Sequence, residues 1–60
     1  MGMTRERLKA RKAIAHCGRM CENALIWADL MRRIGNAPAA DEWQTRAAWW
    51  SEEAFREAAA

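Results

Sequence analysis

The sequence contains no valine, no tyrosine, one phenylalanine and one proline in 60 residues. β-Sheets depend on β-branched and aromatic residues and on frequent turn signals, so this composition excludes most β architectures. Only three glycines are present, and a single cluster of turn-forming residues, at positions 35–38, interrupts the chain. The fold class that remains is all-α, with one break.

No apolar run is long enough to cross a bilayer. The longest, residues 24–31, is interrupted by Asp29, whereas a spanning helix needs roughly 20 apolar residues. The basic start of the chain is not followed by the apolar segment of a signal peptide. Cys17 and Cys21 are four residues apart and lie on one side of a helix, which favours reduced, buried thiols. We therefore expect a cytoplasmic protein that does not contact membranes.

Patterns that carry catalysis or bind metals are equally scarce. His16 and Cys17 are adjacent, so on a helix they diverge by about 100° and cannot act as a pair. Cys17 and Cys21 supply two thiolates where a structural zinc site needs four, although two copies of the chain could share such a site. The sequence has no phosphate-binding loop, nucleophile elbow or metal-binding histidine pair. We predict a non-enzymatic protein with no catalytic residue, no cofactor and no metal.

What is present is helical periodicity on both sides of the break. Gly35 suits the left-handed position just after a helix. Pro38 suits the first turn of the next helix and is expected to hold Ala37 outside it. The pattern predicts one domain over residues 1–60, with helix 1 at about 5–34, a turn at 35–37 and helix 2 at about 38–58.

Apolar residues recur at alternating spacings of three and four in both helices, the pattern of a coiled-coil seam. Folding the chain at Gly35 into an antiparallel hairpin places Trp27 opposite Ala47, so that large side chains oppose small ones. Ile34 is expected to continue the stripe. The predicted hairpin seam consists of Ala13, Cys17, Met20, Ala24, Trp27, Met31, Trp43, Ala47, Trp50 and Ala54.

Several large apolar residues lie outside this seam, and four of them are candidates for an interface. Ile26 and Leu30 stand roughly opposite the seam of helix 1, and Trp49 and Phe55 are expected to point away from the tryptophans of the helix 2 seam. A helix that is apolar on more than one face is usually buried on more than one face. These four residues are therefore predicted to form an interface, either with a second copy or with another protein. For Trp49 and Phe55, the alternative is that they are partly exposed aromatic side chains packed on arginine stems. A two-fold dimer of hairpins would be a four-helix bundle.

Charge is distributed unevenly along the chain. Residues 1–20 carry six basic side chains against one acidic one, and residues 21–60 carry four against seven, in a chain of net charge +2. The densest basic run is expected to extend roughly 12 to 14 Å beyond helix 2. It could be a solvated helix start, a contact for an acidic protein, or a phosphate contact for nucleic acid. The candidate electrostatic residues are Arg5, Arg7, Lys9, Arg11 and Lys12.

In size and layout the chain resembles two kinds of helical hairpin. One is the Rop type of plasmid copy control, a dimeric four-helix bundle that binds paired RNA loops. The other is the group of small phage or mobile-element proteins that bind and disable a host protein. Both resemblances are architectural and transfer no residues. We expect a homodimeric module that binds and inhibits or modulates another protein; the alternatives are a nucleic-acid-binding dimer and a structural or assembly subunit.

Overall fold

A computed structural model describes residues 4–59 of the chain. They form two α-helices, α1 (Arg5–Arg33) and α2 (Ala37–Ala59), which pack side by side with extents of 52 × 15 × 9 Å. The predicted all-α class and the two-helix hairpin are confirmed. Residues 1–3 and residue 60 of the predicted domain lie outside the described residues.

Thr4 caps the beginning of α1. Its backbone is extended, with φ −67° and ψ 160°, and its hydroxyl accepts a hydrogen bond of 3.3 Å from the backbone N–H of Arg7. The first turn of a helix has N–H groups without intrahelical partners, and this bond satisfies one of them. Thr4 thereby fixes the point at which the extended chain becomes helical.

Residues 34–36 connect the two helices, and Asn36 makes a hydrogen bond to each of them. Gly35 adopts φ +82°, and its N–H donates to the carbonyl of Arg32 at 3.1 Å. The N–H of Asn36 donates to the carbonyl of Met31 at 2.8 Å, which completes the Schellman arrangement that ends a helix. The side-chain Oδ1 of Asn36 then accepts from the N–H of Ala39 at 3.2 Å and caps α2.

The predicted placement of Ala37 is wrong, because α2 begins at this residue. The Asn36 cap starts the helix one residue earlier than the sequence pattern indicates. Pro38 then occupies the second helical position, where its missing N–H removes no intrahelical bond. At the other junction α1 ends at Arg33, so Ile34 follows the helix and is exposed instead of continuing the seam.

The interior of the hairpin consists of small side chains. The buried residues are Cys17, Ala24 and Ala28 of α1 and Ala40 and Ala47 of α2. Side chains of this size let two helices approach closely along their shared face. Within residues 4–59, no large hydrophobic side chain is fully buried. The bulk of the apolar material therefore lies at the margins of the seam or outside it.

Replacing Gly35 with alanine is expected to destabilise the hairpin by about 1–2 kcal/mol, because a residue with a Cβ is strained at a positive φ. The same change at Gly18 is the matched control, since this position is inside α1 and no atom lies within 4 Å of the added Cβ. Gly18→Ala should stabilise the protein by about 1 kcal/mol. Urea titrations followed by circular dichroism measure both changes. Effects of the same sign would contradict the roles assigned to the two glycines.

Candidate functional site

Nine of the ten predicted seam residues occupy buried or half-buried positions. Cys17, Ala24 and Ala47 are buried. The half-buried ones are Ala13, Met20, Met31, Trp43, Trp50 and Ala54. The tenth, Trp27, is 41% exposed. The larger members of the seam therefore border the contact between the helices, and the smallest members fill it.

Aromatic rings line one broad side of the hairpin. Trp27 and Trp43 stack across the two helices, with ring centroids 5.9 Å apart and planes 20° apart. Farther from the turn, the ring of Trp50 meets His16 edge-on at 5.5 Å, and Trp49 meets Trp50 edge-on at 4.7 Å. We call these five residues the aromatic face. Both arrangements are among the geometries that aromatic pairs favour.

These contacts correct two predicted placements. Trp27 is predicted to lie opposite the small Ala47, but its ring stacks on that of Trp43, so the rule of large against small fails for this pair. Two flat rings gain more from stacking on each other than from contact with a methyl group. Trp49 does not point away from the seam tryptophans, because its ring reaches back to contact Trp50. The long side chain overcomes the angle between neighbouring positions on the helix.

The opposite broad side is marked by a polar contact between the helices. The Arg32 guanidinium donates to Oε1 of Gln44 at 2.8 Å. Arg32 is five residues after Trp27 and so lies about 140° away around α1. Phe55 is three turns after Gln44, which places it on this second side, where it lines an open pocket with Ser51, Ala54 and Ala58.

The four predicted interface residues are all exposed, but the structure does not bring them together. Trp49 belongs to the aromatic face, and Phe55 lies about 120° away around α2. Ile26 and Leu30 lie on α1, on the side that faces away from α2. The single second face predicted from the sequence is therefore three separate regions of the surface.

An aliphatic stripe begins with Ile26 and Leu30 on the outer side of α1 and continues at the same spacing to Ile34, just beyond the end of the helix. Leu30 and Ile34 follow Ile26 by four and eight residues, and the three side chains are 61%, 42% and 70% exposed in chain order. We call them the aliphatic stripe. The sequence pattern places Ile34 with the seam residues of helix 1, so Ile34 is absent from the predicted interface residues. The four-residue spacing between Leu30 and Ile34 is the sequence signal that groups Ile34 with Ile26 and Leu30.

The predicted electrostatic residues all have exposed side chains. They do not form one basic stripe. Arg5, Lys9 and Lys12 follow a spacing of four and three residues along one side of α1, whereas Arg7 and Arg11 lie on another side. α1 exceeds α2 by six residues, or about 9 Å rather than the 12 to 14 Å expected from the sequence.

Part of the basic run is aligned with the aliphatic stripe. Eighteen residues make five helical turns, so Lys12 lies on the same side of α1 as Leu30, and Leu8 on the same side as Ile26. Arg19 falls between them in the same direction. The outer side of α1 therefore carries Leu8, Lys12 and Arg19 in its first half, and Ile26 and Leu30 in its second half.

A candidate metal site and a membrane-spanning helix are both absent from the described part of the chain. No group of three or more histidine, cysteine, aspartate or glutamate side chains in residues 4–59 could hold a metal ion. Within the same residues, neither helix is long and apolar enough to cross a membrane. What the arrangement provides is apolar contact area and charge. Comparisons with models of protein families, with curated proteins and with solved structures each found no match.

The two thiols differ in accessibility, and we expect them to react at different rates. Cys17 is buried and Cys21 is half-buried, so an alkylating reagent should modify Cys21 first, while Cys17 reacts only when the helices separate. Mass spectrometry after timed alkylation measures the order. In 6 M guanidinium the two rates should become similar. Faster modification of Cys17 in the native protein would contradict the seam described above.

Proposed function

We propose that this protein is a non-enzymatic binding module, a helical hairpin that pairs as a four-helix bundle and binds another protein to block or modulate it. The observation that carries the proposal is the placement of side chains by size. The interior holds one cysteine and four alanines, whereas eight large hydrophobic side chains are exposed. Extended apolar surface of this kind is typical of interaction sites. The free thiols suit the reducing cytoplasm as the place of action.

The exposed area supports the same proposal. A compact monomer of this mass exposes about 4000 Å², whereas the 6.9 kDa chain exposes 4973 Å². The difference, about 1000 Å², exceeds the roughly 800 Å² that each partner buries in an interface of standard size. The hairpin thus has enough surplus surface for at least one stable contact.

The outer side of α1 indicates the chemistry of the protein partner. Ile26, Leu30 and Ile34 have the spacing with which amphipathic helices enter apolar grooves of other proteins. Lys12 and Arg19 precede them on the same side. Such charges orient and accelerate association with a surface of opposite sign. We therefore propose a partner with an apolar groove that is flanked by acidic residues.

A double change, Ile26→Ala with Leu30→Ala, tests the proposed partner site. Both side chains are exposed, so the fold should survive while retention of the partner falls about tenfold or more, as expected for anchor residues. Tagged full-length chains would be used to capture proteins from the cells that express them, with quantitative mass spectrometry as the readout. Leu25→Ala is the matched control, because Leu25 is a similarly exposed leucine on another side of α1. Equal retention by all three chains would contradict the proposal.

Nucleic-acid binding is the second candidate, favoured by the density of positive charge at residues 5–12. The spread of these charges around α1 argues against a continuous track for phosphates. We expect no complex with RNA hairpins or duplex DNA at about 0.15 M salt in gel-shift titrations. A complex that weakens steeply with salt, and that Lys9→Ala with Lys12→Ala reduces, would replace protein binding as the proposed function.

A further inference from the structure

We infer that the aromatic face binds the aromatic face of a second copy of this chain. The inference rests on the proposed function for the existence of a dimer and adds its interface. It also separates this contact from Ile26 and Leu30 on the outer side of α1, which stay available to a different protein.

The choice of face follows from the composition of the two broad sides. On one side, ring contacts connect Trp27 with Trp43 and link Trp49, Trp50 and His16, and two of the tryptophans are exposed. Tryptophan anchors at the centre of an interface supply much of its affinity. On the other side, a polar hydrogen bond crosses between the helices, and two apolar side chains are exposed: Phe55 beside a shallow pocket, and Leu25 two helical turns before Arg32. The aromatic face therefore has four tryptophan rings to contribute to a contact, and the Arg46 guanidinium lies 4.7 Å from the centroid of the Trp43 ring beside them.

The shape of the hairpin indicates a second copy as the occupant. A broad side of 52 × 15 Å has an area of about 800 Å², the amount one partner contributes to a standard interface. A rod of this length is covered fully only by a surface that is equally long and flat, and another hairpin is such a surface. A two-fold axis makes the same patch serve on both chains.

Trp49→Ala and Phe55→Ala form a matched pair of tests. Both remove an exposed aromatic ring from α2, but from opposite broad sides. Sedimentation equilibrium should give the wild type and Phe55→Ala twice the 6.9 kDa of one chain. The dissociation constant of Trp49→Ala should rise about tenfold or more. Circular dichroism of each variant shows whether the helices are retained.

Each outcome bears either on the existence of the dimer or on the face through which it forms. A wild-type mass of one chain at all concentrations would overturn the dimer itself, while capture through the aliphatic stripe is tested independently. A wild-type dimer that Trp49→Ala leaves intact, or that Phe55→Ala weakens equally, would overturn only the aromatic face as the interface.

Discussion

Close packing of two helices along a line of alanines is the constraint on which the rest of this structure depends. Ala24, Ala28, Ala40 and Ala47 are buried, with Cys17 as the largest member of the interior. A seam of such small groups gives good contact between the backbones but removes little apolar area from water per residue. The large side chains have no room inside and are left at the margins or outside. The apolar surface is thus a direct consequence of how the hairpin is closed.

The sequence predicts most of the hairpin because its signals are local. The left-handed position of Gly35 and the three- and four-residue spacing of apolar residues depend only on neighbouring positions along the chain. The beginning of α2 was misplaced because two local signals compete. Pro38 disfavours a helical residue before it, and the side chain of Asn36 caps a helix that includes that residue. The cap prevails, since it satisfies an N–H group that the first turn leaves open.

The arrangement of the aromatic rings was less predictable. Helix periodicity gives the direction in which a side chain leaves the backbone, but not where a long ring ends. The ring of Trp49 contacts the ring of Trp50 edge-on, and the ring of Trp27 stacks on the ring of Trp43 in the other helix. Both depend on rotamers and on the register between helices, which spacing does not specify. The distribution of the four predicted interface residues over three regions has another cause, the 100° between successive helix positions, which separates Trp49 from Phe55 by about 120° around α2. The dimeric state and the protein partner stay predictions from the sequence, now attached to particular surfaces.

If the aromatic face is covered by a second copy, folding and association are coupled, because the alanine seam alone buries too little apolar area to hold the helices together strongly. Thermal unfolding followed by circular dichroism, at protein concentrations from about 1 to about 100 µM, measures this coupling directly. We predict that Tm rises steadily with concentration, because association stabilises only the folded chain. A sharp transition whose Tm is the same at every concentration would show that the hairpin is stable as a monomer, and would contradict the coupling of folding to dimerisation.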